Sequence, residues 1–248
     1  MNALLDGRDE AVDIVSRQGW LSEQPLEFRR RFLRHATVQW YDTGQTVFKA
    51  GDLVTDVLGL VEGALEMYFK HPYLGQGLIH IAVKGMWVGE QVAYGLDRRV
   101  VTLRARVPSS VIAVPAEDVE LMLAEDPYRL KSFGLLTQEH ITECLTVVQE
   151  LLHNDAVLRL SARLLTFAVG HPSGREPNEP VSLPIAPDEL AHFSGLSRKA
   201  ASRALEVLEE VGVVRVGDFS VEVLNLQALA LTLSKLAKMP AELEPDDD

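Results

Sequence analysis

A chain of 248 residues, 47% hydrophobic and 24% charged, is long enough to bury a sizeable core and to form two domains. It lacks an apolar run long enough for a transmembrane helix, and "MNALLDGRDEAVDIV" carries acids where a secretory signal would carry a basic region and an apolar core, so neither a membrane nor a secretory role is expected. The formal net charge of -12 speaks weakly against nucleic-acid binding, and the single cysteine, Cys144, excludes an internal disulfide framework and a four-cysteine iron–sulfur cluster and fits a reducing cytoplasm.

Residues 9 to 35 read as one or two short helices. The period then shortens. "VQWYDTGQTVFKAGDLVTDVLGLVEGALEMYFK" (38 to 70) has short apolar runs cut by Gly44, Gly51 and Gly63, and "GLIHIAVKGMWVGE" follows. In Val100 to Val107, Val101, Leu103, Ala105 and Val107 alternate with Thr102, Arg104 and Arg106, which predicts a half-buried strand. Many short strands with glycine turns predict a closed or sandwiched β domain.

From Pro115 the pattern is helical. "PAEDVELMLAEDP" predicts a short helix stopped before Pro127, and a long helix is expected from Tyr128 to about Asn154. Alternating steps of four and three along it pick out Leu130, Gly134, Thr137, Ile141, Cys144, Val148 and Leu151, a heptad seam. Such a helix either packs on its own domain or pairs with a second copy in a parallel coiled coil. Its length favours the copy, because about 25 residues at 1.5 Å each project beyond a small domain. A further helix, "AVLRLSARLLTFAVG", ends at Gly170, and the loop "HPSGREPNEPVSLP" follows. Five of the last seven residues, "ELEPDDD", are acidic, and the tail is expected to be a disordered, solvating segment.

"APDELAHFSGLSRKAASRALEVLEEVGVV" reads as helix, turn, helix. Pro187 suits a first helical position, with Asp188 and Glu189 in the positive-dipole first turn. Ala191 is small where two helices cross closely, Gly195 suits a left-handed helix end and Ser197 suits an N-cap. Ala201, Leu205 and Leu208 form the stripe expected to be buried, while Arg198, Lys199, Ser202 and Arg203 share the opposite face. Cations therefore project from the helix start, where a recognition helix enters the major groove, with Ser197 at its cap. "GVVRVGDFSVEVL" then supplies two short strands around Gly217–Asp218, a wing.

These stretches resemble the CRP/FNR family of bacterial transcription regulators. "SLPIAPDELAHFSGLSRKAASRALEVLEEVGVV" is similar to its helix-turn-helix signature, and "YDTGQTVFKAGD", "GLVEGALEMYF" and "GMWVGEQ" to its β-roll. The resemblance runs from about residue 30 to 225. It implies an α+β chain with an N-terminal jelly-roll β-roll of the cyclic-nucleotide-binding type over 1–126, a dimerisation helix over 127–154, a winged helix-turn-helix over 155–236 and the acidic tail over 237–248. It implies a homodimeric, cytoplasmic, non-enzymatic regulator of palindromic double-stranded DNA, with RNA polymerase as a partner if it activates.

Family members that bind cyclic AMP use a Glu after "G" for the ribose and Arg-Ser for the phosphate. Here Gly89–Glu90 is present and Arg99 falls near the Arg position, but Val100 follows it. The positions that face adenine correspond to Cys144 and Leu145, and His140 lies on the same helix. Each missing hydroxyl removes a hydrogen bond worth about 0.5–1.5 kcal/mol, so cyclic AMP is not expected to be the effector, which stays unknown. Glu90 and Arg99 read equally well as a structural ion pair. Cys144 is expected to be a buried, inert packing residue. His80, His140, Met86 and Cys144 leave a haem or gas-sensing branch open, and no metal motif is present. Where well-studied members commonly place Glu, this chain has Lys199, which donates to guanine or phosphate instead of accepting from cytosine. The rival readings are a cyclic-AMP-responsive regulator, a β-roll signalling protein whose winged helix makes protein contacts, and an enzymatic β-roll, for which His71 and His80 have no clear ligand partners and no phosphate-binding glycine loop appears.

Overall fold

The computed structural model describes residues 2–169 and 179–236, so Gly170, the loop stretch 171–178 and the acidic tail lie outside the described residues. The chain falls into two compact units, one of residues up to 145 and one from 146 onward.

The first unit opens with three helices, α1 (Asn2–Ser16), α2 (Gly19–Ser22) and α3 (Leu26–Phe32), where the sequence predicts one or two. Arg8 ties them: its guanidinium donates to the carbonyls of Leu33, Arg34 and Ala36 at 2.9–3.0 Å, just past the end of α3. Eight strands follow: β1 (Thr37–Tyr41), β2 (Thr46–Phe48), β3 (Asp56–Glu62), β4 (Ala64–His71), β5 (Gly75–Val83), β6 (Trp87–Val88), β7 (Thr102–Ala105) and β8 (Ser109–Pro115). They form two four-stranded antiparallel sheets, in the orders β1-β8-β3-β6 and β2-β7-β4-β5. Leu103 and Ala105 are buried and Arg104 is exposed, as their alternation predicts. The strand is shorter than its sequence pattern, and Val100 stands outside it, 63% exposed.

Leu58, Leu60, Leu65, Leu103 and Val111 fill the core that carries the facing side chains of both sheets. The other face of the first sheet packs on helices. There Trp20, Phe28, Phe32, Trp87 and Phe133 make an aromatic cluster, with ring centroids 5.3–5.8 Å apart. Gly59 lets Trp87 lie flat on the sheet, because a Cβ there would come within 2.7 Å of the indole. Phe133 comes from the long helix, α5 (Leu130–Leu152), which follows α4 (Ala116–Glu125) and a turn of 3₁₀ helix at Pro127–Arg129. Trp20 Nε1 donates to the carbonyl of Ser132 at 2.7 Å, fixing the start of α5 to the roll.

The second unit holds α6 (Ala156–Val169), β9 (Val181–Leu183), α7 (Pro187–Phe193), α8 (Arg198–Glu210), β10 (Val214–Val216), β11 (Val221–Val223) and α9 (Leu226–Leu236). The two strands read as a wing are β10 and β11. β9 joins them, in the order β10-β11-β9, although its sequence reads as part of a loop. Three residues between prolines give too short a period for any pattern to show.

Phe133 is fully buried against three aromatic rings. Phe133→Ala should destabilise the first unit by about 3–5 kcal/mol. Chemical denaturation followed by tryptophan fluorescence measures this directly, since Trp20 reports on the same cluster.

Candidate DNA-reading helix and effector pocket

The helix-turn-helix is set by local chemistry. Pro187 occupies the first position of α7, and the Glu189 carboxylate accepts from the Ala186 amide at 2.9 Å. Ala191 is 2% exposed. Gly195, at φ +60°, takes the left-handed conformation that ends α7. Ser197 then caps α8, its Oγ accepting from the Ala200 amide at 3.2 Å. Ala201, Leu205 and Leu208 are buried, together with Ala204.

The opposite face is open. Ser197, Arg198, Lys199, Ser202 and Arg203 are all exposed. Arg198 lies 3.4 Å from the Asp188 carboxylate, an exposed pair worth little. Two features escaped the sequence reading. α8 has no acid in its first turn and no base in its last, so its charges oppose its own dipole at both ends. Each such placement costs about 0.3–1 kcal/mol. This reversal is legible in "SRKAASRALEVLEE" once the helix limits are drawn. The second is Glu209, whose carboxylate accepts from the Val216 amide at 2.6 Å and so anchors the wing to α8. Phe219, at the hairpin tip, is 83% exposed.

The residues expected to line an effector pocket divide into two separate charge pairs. Gly89, at φ +103°, turns β6 into the short 3₁₀ helix Glu90–Tyr94. Glu90 receives His140 Nδ1 from α5 at 2.8 Å. Arg99 reaches the other way: Nη2 donates to the Asp56 carboxylate at 2.5 Å and to the Asp56 carbonyl at 2.9 Å. The ion pair between Glu90 and Arg99 that the sequence suggests is therefore replaced by two pairs, Glu90–His140 and Asp56–Arg99. A partner 43 residues away in sequence outcompetes the nearer one because β3 runs past Arg99.

Arg99 is 4% exposed and its guanidinium lies 4.1 Å from the Phe48 ring centroid. Its Nε and Nη1 have no hydrogen-bond partner. Burial lowers its pKa, against the opposing pull of Asp56, Asp52 and Glu90. Gly89 is required beside it, because a Cβ there would approach Nη1 to 2.8 Å and the Asp56 carbonyl to 2.7 Å. Val100 is exposed, and so are Leu145, at 64%, and Cys144. Cys144 is exposed in the single chain, on the seam side of α5, because α5 turns its Phe133, Leu136 and His140 side inward.

Along the heptad seam, Leu130, Gly134, Ile141, Cys144, Val148 and Leu151 are exposed. Thr137 is half-buried, its Oγ1 donating to the Phe133 carbonyl at 3.1 Å and lying 3.0 Å from Tyr94 Oη. Of the candidate iron ligands, His140 is held by Glu90, His80 lies 3.4 Å from Glu143 and Met86 packs in the inter-sheet core. Among the described residues no group of three or more His, Cys, Asp or Glu is placed to hold a metal ion. No described helix is long and apolar enough to cross a membrane.

A β-roll followed by a long helix and a winged helix-turn-helix with a cationic, exposed face defines a DNA-binding regulator. Residues 38–126 match the cyclic nucleotide-binding domain family and residues 158–232 the Crp-like helix-turn-helix domain, together about two thirds of the chain. The chain belongs to the CRP/FNR family of transcription regulators. It is 24% identical over 195 residues to the CRP-like protein Clp of Xanthomonas campestris pv. campestris, a match spanning 74% of this chain and 82% of that protein. Its fold is similar to that of a cyclic nucleotide binding protein from Ruegeria pomeroyi DSS-3, with a TM-score of 0.68, 18% identity and coverage of 92% of this chain and 98% of that one. It is similar to that of Xanthomonas Clp as well, with a TM-score of 0.59, 23% identity and coverage of 81% and 99%.

His140 is governed by opposing effects. Burial lowers its pKa, but the Glu90 hydrogen bond and the charges of Glu90, Glu143 and Glu139 outweigh it, and the result is raised above the usual 6.5. A raised folded-state pKa contributes stability that is fully present below about 6.5 and is lost as pH rises through the folded value. Glu90→Gln should lower the His140 pKa, read by NMR titration of the imidazole. It should destabilise the protein more at pH 6 than at pH 8.

Proposed function

We propose that this regulator acts as a homodimer that reads a palindromic DNA site through Arg198, Lys199 and Arg203, and that its β-roll answers to an effector other than cyclic AMP. One observation carries the DNA reading: α8 buries one face and turns three cations outward at its N-terminal end, against its own dipole. Phosphate and guanine supply the negative potential that such a helix lacks. Ser197 and Ser202 flank the cations and suit phosphate contacts. The seam from Leu130 to Leu151, left exposed in the single chain, suits a parallel copy, with half-sites about 34 Å apart. The protein is read as cytoplasmic and non-enzymatic, with RNA polymerase as a partner if it activates.

The case against cyclic AMP rests on what already holds the pocket's charges. Glu90, which would take a ribose hydroxyl, is committed to His140, and Arg99, which would take the phosphate, to Asp56. Val100, Cys144 and Leu145 offer no hydroxyl. The two unpartnered nitrogens of Arg99, Nε and Nη1, favour an anionic effector of a different shape. Xanthomonas Clp, a c-di-GMP-responsive regulator, makes a cyclic dinucleotide the second reading.

Arg203→Ala should weaken binding to a selected operator by about 1–3 kcal/mol if it reads a base, measured by fluorescence anisotropy. Unchanged affinity and base preference would remove Arg203 from the interface. Charged replacements of both Ile141 and Val148 should yield monomers in sedimentation and abolish operator binding. Isothermal titration with cyclic AMP should show no binding in the micromolar range; binding that is lost in Arg99→Ala would restore cyclic AMP as the effector.

A further inference from the structure

At the end of the first sheet a second cavity lies among residues that the DNA-reading and effector sites do not use. Its volume is about 390 Å³, and it is lined by Trp40, Tyr41, Asp42, Gln45, Glu62 and Pro108 with Ser109 and Ser110. The strand register explains it. Trp40 on β1 pairs with Ser110 on β8, and Ser110 pairs with Glu62 on β3. Directly paired residues put their side chains on one face, so these three form a row across the sheet: an indole, a hydroxyl and a carboxylate. Neighbouring strands are about 4.8 Å apart, which leaves roughly 10 Å between the indole and carboxylate backbones. The register shift between Leu60 and Glu62 brings Glu62 onto this face at the end of β3.

Val38 and Ile112, on the same face one step inward, pack into the helix-side core. The row begins where that cover ends. Trp40 is 68% exposed, a large apolar surface that the described residues leave open. Ser110 is 2% exposed and lines the cavity, and its hydroxyl makes no hydrogen bond among the described residues. Neither Glu62 nor Asp42 forms an ion pair among the described residues, in a chain where other carboxylates of the roll, such as Glu66 and Asp56, hold arginines.

An exposed indole, two carboxylates without an ion pair among the described residues and the Ser110 hydroxyl share one complement. We propose that this cavity is a second ligand site that takes a small organic cation bearing an ammonium or guanidinium group. The cation rests on the Trp40 face and its N–H groups donate to Glu62, Asp42 and Ser110, while the Gln45 Oε1 is already held by the Asp42 amide at 2.7 Å. A volume near 390 Å³ admits a linear diamine or guanidinoalkylamine.

The readout is built in. Of the three tryptophans, Trp20 and Trp87 are buried and Trp40 alone is exposed, so the solvent-sensitive part of the emission belongs to this site. Titration of the full chain with agmatine should shift that emission to the blue and saturate, while equal ionic strength of sodium chloride and an uncharged diol of similar length should not. Glu62→Gln and Asp42→Asn should each weaken agmatine binding about 5- to 30-fold, followed by calorimetry, with an unchanged melting temperature. Trp40→Phe should retain binding and Trp40→Ala should lose it. If Trp40→Ala fails to fold, the two carboxylate variants decide the matter. N-acetyl-arginine amide forms a second arm. Binding of agmatine alone assigns the site to a free amine, and equal binding of both assigns it to a cationic side chain of a protein. Absence of saturable binding by either, or binding indifferent to both carboxylate variants, overturns the proposal.

Discussion

The first unit depends on the aromatic contact between the roll and the first turn of α5. Phe133 inserts among Trp20, Phe28 and Phe32, and the Trp20 indole holds the Ser132 carbonyl. Burying an aromatic ring is worth several kcal/mol, more than any single polar contact nearby. Helical periodicity then does the rest. With Phe133 and Leu136 turned inward, His140 comes round one turn later and meets Glu90, and Ile141, Cys144 and Leu145 are carried outward. One packing event therefore settles which side of the helix meets Glu90 and which is left exposed in the single chain.

The surroundings of Arg99 are electrostatically incomplete. A buried guanidinium is costly unless its donors are met. Asp56 meets one nitrogen of Arg99 and the Phe48 ring covers the group, yet Nε and Nη1 stay unpartnered. Such a group is tolerated where an incoming anion completes it. The neighbouring carboxylate of Glu90 is satisfied by His140, so the two charges differ in what they can still accept. Arg99 retains donors, whereas a ligand hydroxyl aimed at Glu90 has to displace an imidazole whose protonated form that carboxylate favours.

The contrast between the two units also explains what the sequence made legible. Pro187, Gly195, Ser197 and the stripe Ala201, Leu205 and Leu208 act within a few residues of one another, so helix limits, turn and exposed face of the helix-turn-helix follow from local rules. The roll's outline was legible from its glycines and from the alternation at Leu103 and Ala105. Its pairings were not. Asp56 reaches Arg99 across 43 residues and Glu90 reaches His140 across 50. The row of Trp40, Ser110 and Glu62 exists only through strand register, with a bulge deciding the face of Glu62. No local pattern marks those meetings, because side-chain direction in a sheet is fixed by partners that the chain order does not reveal.

The charge order of α8 ties stability to recognition. A helix with Arg198 and Lys199 at its start and Glu209 and Glu210 at its end is held by its buried stripe and its Ser197 cap, not by its electrostatics. A large hydrophobic contribution is needed to tolerate this, and the four fully packed positions from Ala201 to Leu208 supply it. The unfavourable end is the one that points out of the fold. An anionic phosphate backbone placed there relieves repulsion between the cations and the helix dipole at the same time as it releases counterions, so the local rule is broken at the place where binding restores it. Lys199 keeps that potential positive where a Glu would have divided it. The acids begin one turn later, on Glu206, so the positive potential is confined to the first turns of the helix.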